Sequence, residues 1–314
     1  MPEKPYLLFS DHLKETFGER VYKISVDAGF GCPNRGAGRD RSGCIFCAPD
    51  GSGAVGIERG RSVREQLECG REVMLGRKTK ARKFLAYFQP FSNTWAPPAE
   101  LRVRYDEALA VADIVGLAVG TRPDCLPPEV LDLLAEYARR TYFWLEIGLQ
   151  SSHDSSLDFI RRGHDYATFL SAYQAAKAHG LRVCVHVILG LPGESRAEIL
   201  ATADEMARLN VDGIKIHLLH VLRGTLLGDL YTAGDIEVLA QEAYVQLAVD
   251  FIERLHPATL IHRLTGDGPR ELLLAPLWSL NKWEVINAIN AEFVRRDSRQ
   301  GATCRFLTAN AETG

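Results

Sequence analysis

The chain has 314 residues, enough for one large barrel or two smaller domains, and either can bury a substantial core. A hydrophobic content of 46% with 25% charged residues is that of an ordinary globular protein, and a net charge of −3 gives no overall signature of nucleic-acid binding. The opening stretch MPEKPYLLFSDHLKETFG has no apolar run of signal-peptide length and no later run approaches a membrane span, so the expected location is the cytoplasm, with no membrane partner.

The first strand-like run, at 21–27, leads directly into GCPNRGAGRDRSGCIFC, which carries Cys32, Cys44 and Cys47. No histidine lies between residues 13 and 152, so these thiols have no local partner to complete a structural tetrahedral zinc site. Three thiolates can instead hold three irons of a cubane cluster and leave the fourth iron open to a ligand. Seven cysteines, an odd number and scattered outside this group, argue against a disulfide framework and for metal or redox chemistry. Order in the 32–50 loop is expected to depend on the metal. Between residues 35 and 83 stand 12 Lys/Arg against 6 Asp/Glu, densest in GRKTKARK (76–83). Such a run reads either as a solvated helix end or as a phosphate-contacting rim.

Further along, strands are predicted at 84–89, 116–121, 143–150, 183–189 and 213–219. Helices are predicted near 62–76, 99–112, 128–140, 166–179 and 195–209, with Pro127-Pro128 suiting a helix start and His179-Gly180 a helix end. Six β-α repeats imply an α/β fold with a parallel sheet, either an open doubly wound sheet or a partial (β/α)6 TIM-like barrel. From about 225 the rhythm changes to a helix at 236–255, a short strand at 258–264 and a helix around 281–296. The expected organisation is a barrel over 1–224 with a C-terminal α/β extension, 225–314, packed on it.

Strand parity favours the barrel, because successive residues face opposite sides. Phe143, Leu145, Ile147 and Leu149 share one face, opposite Trp144, Glu146, Gly148 and Gln150. Cys184, His186 and Ile188 oppose a valine-rich face, and Lys215 and His217 oppose Ile214, Ile216 and Leu218. An interior holding Gln89, Arg122, Glu146, Gln150, His186, Lys215 and His217 is expected to need a large polar ligand, since each unpaired buried polar group costs roughly 1–3 kcal/mol.

The C-x-x-C ending, with Phe46 before its last cysteine and Cys32 upstream, resembles the cluster loop of the radical S-adenosylmethionine (SAM) superfamily. Eleven residues separate Cys32 from Cys44, wider than that superfamily's commonest spacing. FLAYFQPFSNTWAP, GLAVGTRPDCLP, LEIGLQSSHDSSLDFIRRGHD, HVILGLPGE, VDGIKIHLLHVLRGT and IHRLTGD narrow the resemblance to the YhcC/YtqA-type branch, related to the catalytic subunit of Elongator. The likeness runs from about residue 7 to 300.

The resemblance implies that Cys32, Cys44 and Cys47 ligate a [4Fe–4S] cluster whose open iron takes the amino and carboxylate groups of SAM. It places Phe46 near the adenine, Gln150 at the ribose and Arg162 at the carboxylate, pairings that suit an amide and a guanidinium. ILGLPGE, with Ile188 and Leu191, corresponds to the segment lining the adenine. Gln89 ends YFQ, where many members carry a Gly-Gly-Glu run absent from this chain, and Glu146 is the further polar candidate for the cofactor. Reductive cleavage of SAM to a 5′-deoxyadenosyl radical, with hydrogen abstraction from the substrate, is the implied chemistry, and it calls for exclusion of oxygen.

Arg122, Cys125, His186, Lys215 and His217 are the candidates on the substrate side, with Asp124 and His220 beside them, and His262 and Arg263 completing the pocket. Cys125 is read as a structural thiol or as a hydrogen-atom donor. A flavodoxin or ferredoxin is the implied electron donor. Three readings remain open: a tRNA-modifying enzyme acting on a wobble-uridine side chain, an enzyme acting on a small metabolite, and a non-enzymatic iron–sulfur or zinc regulator.

Overall fold

Runs rich in β-branched and aromatic residues become strands, and the amphipathic stretches between them become the crossover helices. The computed structural model describes residues 4–35, 43–48, 51, 60–76, 82–266 and 268–307. Residues 36–42 and 49–50 of the cysteine loop, and 77–81 of the basic run, lie outside the described residues.

Strands β1 (Val21–Val26), β2 (Lys83–Phe88), β3 (Ile114–Thr121), β4 (Tyr142–Gln150), β5 (Val183–Leu189) and β6 (Gly213–Leu218) pair in chain order. Every pair is parallel, as βαβ crossovers require. Helices α2 (Val63–Gly76), α3 (Pro98–Leu109), α4 (Pro128–Arg140), α6 (Tyr166–Ala178) and α7 (Arg196–Arg208) make the crossovers, α5 (Asp154–Phe159) adding one short turn before α6. Pro128 is the first residue of α4, preceded by Pro127 with no side-chain cap, whereas α7 opens with a Ser195–Glu198 capping box.

The sheet is a curled, partial barrel. Its outer face carries Phe143, Leu145, Ile147 and Leu149, the valines of β5, and Ile214, Ile216 and Leu218, all in one core with the helices. The inner face is closed at one end by α1 (Phe9–Phe17), which the sequence reading did not assign to a helix. Phe9 and Leu13, one turn apart, pack there against Leu85, Tyr87, Ala118, Trp144 and Cys184.

After β6 come a short ribbon of β7 (Val221–Leu222) with β9 (Leu273–Ala275), then α8 (Leu226–Ala233), α9 (Gln241–Arg254), β8 (Leu260–Arg263) and α10 (Lys282–Arg296). The short strand expected at 258–264 is β8, which pairs parallel with β6 and becomes the seventh strand of the sheet. Tyr244, Phe251 and Ile252 of α9 and Ile289 of α10 share the core of the barrel helices. The long helix starts at Gln241 rather than 236, because Ile236 and Val238 pack as non-helical chain against the cluster beneath the cysteine loop.

Candidate active site

The cysteine loop starts where β1 ends, at the C-terminal edge of the sheet, where βα loops build sites in barrels of this kind. A single 3-10 turn, Pro33–Arg35, follows Cys32. Arg35 is buried and donates to the carbonyls of Cys47 (3.1 Å) and Ala48 (2.6 Å), folding the second half of the loop onto the first. Cys47 N–H donates to the Cys44 carbonyl at 3.0 Å, which makes C-I-F-C a tight turn with both sulfurs at its ends. Ile45 is clamped from both sides: its N–H donates to the Ile160 carbonyl (3.0 Å), and its carbonyl accepts from Leu227 N–H (2.9 Å). Its side chain is buried with Leu157, Ile160, Ile188, Leu191 and Leu219, and Phe46 packs on the same cluster.

The stretch 160–163 reaches the loop from the far end of β4. Asn34 Nδ2 donates to the Arg161 carbonyl (2.7 Å) and lies 3.5 Å from Cys44 Sγ. Gly163, at φ +74°, is required here, because a Cβ would stand 2.3 Å from Asn34 Oδ1. Arg162 Nη1 lies 3.5 Å from the same sulfur, Nη2 donates to the Gly148 carbonyl at 2.5 Å, and the buried Nε has no partner. Arg122 donates to the Arg162 carbonyl at 2.7 Å and forms a two-pronged pair with Asp124, at 2.9 and 2.8 Å. Charge-assisted contacts of this kind fix guanidinium orientation.

These groups surround a cavity of about 830 Å³, its open mouth included. Cys32, Cys44, Cys47 and Phe46 line it from the loop, Gln89, Arg122, Gln150 and Arg162 from the strand ends, and His186, His217 and Arg263 from the β5–β6–β8 side. Gln150 sits at a bulge with φ +87°. No carboxylate lines the cavity among the described residues. The three thiols are free, yet no three His, Cys, Asp or Glu among the described residues converge to hold a single ion. Separate thiols on one wall, beside guanidinium donors, fit the ligation of an anionic cluster through one iron per sulfur.

The inner face corrects part of one expectation. Glu146, His186 and Lys215 do not wait for a ligand, because they satisfy one another, whereas the buried His217 Nε2 has no partner. Fully buried Glu146 accepts from Lys23 (2.6 Å), from Lys215, and from His186 Nε2 (2.9 Å), while Lys215 also donates to Tyr87 OH at 2.8 Å. Burial alone would raise the Glu146 pKa, but the two ammonium groups and His186 hold it well below the usual range. Lys215, by contrast, is pushed down to about 7 by burial.

Glu146 and Lys215 therefore form the floor beneath the cavity rather than its lining. Ile188 and Leu191 are also outside the lining, being packed under Ile45. Cys125 faces a different hollow, between Trp95–Pro98 and Pro123–Pro127, where burial pushes its thiol up to about 12. His262 lies in the barrel base, stacked on Phe9 at 3.8 Å.

Sequence reasoning missed Arg35 and Asn34, whose roles lie in long-range backbone contacts that no local pattern encodes. Their place inside the cysteine loop was the only available signal.

Three imidazoles of the barrel interior are neutral in the folded protein: burial brings His186 to about 4, and His217 and His262 well below the usual 6.5. In the unfolded chain they take up protons near 6.5, so between about 6.5 and about 4 the unfolded state binds more protons. Their stability contribution is whole above pH 6.5 and declines with acid, at about 1.4 kcal/mol per unit of pKa separation. Urea midpoints should fall steadily from pH 7 to 4.5. Midpoints level across that range would contradict the neutral assignment.

The comparisons agree with this geometry. Residues 28–206 match the Radical SAM superfamily and residues 211–295 the Radical_SAM C-terminal domain. The chain belongs to the radical SAM superfamily and is a radical SAM enzyme, a class that implies a [4Fe–4S] cluster and SAM. Within it, the chain falls in the Elongator-like branch of YtqA and YhcC. It is 46% identical to YtqA of Bacillus subtilis over 299 residues, covering 95% of this chain and 92% of that protein. With YhcC of Escherichia coli K12 it shares 42% identity over 277 residues, 88% of each chain. The fold resembles that of an archaeal Methanocaldococcus infernus Elp3 lacking its N-terminus, with a TM-score of 0.68 at 15% identity, over 89% of this chain and 64% of that one. Among the described residues no helix is long and apolar enough to cross a membrane.

Proposed function

We propose that Cys32, Cys44 and Cys47 hold the cluster, that SAM occupies the cavity beside them, and that the substrate is the side chain of a modified wobble uridine in tRNA. The observation carrying the cofactor reading is the meeting of three free thiols with Arg162 and Arg122 in one carboxylate-free cavity. When bound, the cluster supplies the electron for reductive cleavage of the C5′–S bond. Arg162, with its unpartnered Nε, takes the cofactor's carboxylate, Gln150 its ribose hydroxyls, and Phe46 the adenine. Arg122 fixes Arg162 through its carbonyl. The wall of α1, Phe9 and Trp144 closes the barrel base to water, which matters where a reactive radical must be kept from side reactions. Kinship with Elongator's catalytic subunit supports the tRNA reading, and the basic run within 35–83 adds phosphate-contacting groups. A flavodoxin or ferredoxin is the proposed electron donor.

The test is anaerobic reconstitution with iron and sulfide, then dithionite, with and without bulk tRNA. We expect 5′-deoxyadenosine in both arms, and retention of tRNA that weakens steeply as salt is raised. Cleavage of SAM by a protein that ignores tRNA at low salt would overturn the RNA reading and leave a small metabolite as substrate. Absence of 5′-deoxyadenosine would overturn the cofactor reading.

A further inference from the structure

Three of the four arginines lining the cavity are already engaged. Arg35 holds the Cys47 and Ala48 carbonyls, Arg122 holds Asp124 and the Arg162 carbonyl, and Arg162 holds the Gly148 carbonyl beside Cys44. Arg263 differs. It comes from β8, and among the described residues its guanidinium has neither an ion-pair nor a hydrogen-bond partner. Beside it on the same side of the cavity stands His217, whose buried Nε2 also has no partner. His186, 5.3 Å from His217 between ring centres, is fixed by its Nε2 bond to Glu146. An unsatisfied buried imidazole is costly unless a ligand answers it, and the part-exposed guanidinium beside it, with no carboxylate in the cavity, is open to the same ligand.

We infer that Arg263 and His217 form a subsite for a carboxylate carried by the substrate. The inference rests on the reading of the cavity as the place of SAM cleavage, and it names the chemistry of what enters beside the cofactor. The guanidinium fork matches two carboxylate oxygens, and the neutral imidazole adds a donor without adding charge. The single guanidinium of this side of the cavity suits a singly charged group. It also leaves Arg162, on the β4 side, to the carboxylate of SAM.

The test uses reconstituted, SAM-loaded protein carrying isotope-labelled histidine, titrated with sodium acetate, with dimethyl phosphate as the phosphodiester probe and sodium chloride as the control for ionic strength. Acetate should shift the His217 imidazole signals saturably and at least 10-fold more tightly than dimethyl phosphate. Arg263→Gln should weaken that response at least 10-fold, Arg263→Lys should restore part of it, and Arg139→Gln, on the exposed face of α4, should leave it unchanged. Tighter binding of dimethyl phosphate, a response equal to that of chloride, or an unaltered response in Arg263→Gln would each overturn the carboxylate subsite. Substrate-free SAM cleavage, assayed in parallel, separates the two readings. If wild type releases 5′-deoxyadenosine yet acetate leaves His217 unmoved, only the subsite fails. If it releases none, the cofactor reading fails irrespective of acetate.

Discussion

Glu146→Ala is expected to cost about 3–5 kcal/mol of folding stability, the range for breaking a buried ion pair by removing one partner. Glu146 is fully buried and receives Lys23 from β1, His186 from β5 and Lys215 from β6, so one carboxylate ties together strands spread across the sheet. Lys23 is partly exposed and can turn towards water, whereas Lys215 is almost fully enclosed and cannot. Without the carboxylate, Lys215 keeps only the Tyr87 hydroxyl and must lose its proton or drag water into the barrel. A double replacement, Glu146→Leu with Lys215→Met, should recover most of the loss, since a buried pair exchanged for apolar groups of similar volume is often neutral. Guanidinium unfolding with circular dichroism checks both. A single alanine variant within about 1 kcal/mol of wild type would show that the cluster is incidental to stability.

The second large effect concerns chemistry. Cys32→Ala, Cys44→Ala and Cys47→Ala should each bring 5′-deoxyadenosine formation to background, with iron content and the iron–sulfur absorbance band reduced in parallel. The folded barrel should survive, because the loop is anchored by Ile45 and Arg35 rather than by the sulfurs. Arg162→Ala should separate the cofactor from the cluster: iron content near wild type, but KM for SAM raised about 10- to 100-fold, as expected from losing a charge-assisted hydrogen bond worth about 1.5–3 kcal/mol. Arg162→Lys keeps the charge but not the fork and should recover only part of the affinity. Full cleavage in any cysteine variant would remove that residue from the cluster, and an unchanged KM in Arg162→Ala would remove the guanidinium from the cofactor.

Much of this was legible in the sequence because strand parity is a strict code. The alternation in β4, β5 and β6 separates the helix-facing side chains from the barrel interior, and all seven strands of the sheet lie where apolar runs place them, the last as the short strand at 258–264. The cysteines and Arg162 were legible through motif spacing. What parity cannot say is how deep along a strand a residue sits. Glu146 and Gln150 share a face, yet one lies in the sealed floor and the other on the cavity wall. Nor can parity reveal that two lysines on distant strands will meet one carboxylate, which is why Glu146 and Lys215, satisfied by each other, looked like groups awaiting a ligand. Cys125 sits beside a promising arginine in sequence, but the 3-10 turn Pro123–Cys125 buries it towards Thr94. The helix α1 is short, and its reason for existing is the open end of a barrel whose other walls are far away in sequence.

The way α1 is held has a consequence for how the protein is made. Ile261 N–H donates to the Leu7 carbonyl at 2.8 Å, Gln300 N–H donates to the Pro5 carbonyl at 2.8 Å, and Tyr6 OH donates to Asn290 at 2.7 Å. Residues 5–7 are thus seated on Ile261, Asn290 and Gln300, which are made more than 250 residues later. During translation, Phe9 has no Trp144 or His262 to rest on until the chain through β8 has emerged. Closure of so long a loop belongs to the slow end of the folding scale, where exposed edges invite misassembly. Expression at low temperature or with chaperones should therefore raise the soluble yield more than changes at the metal site do.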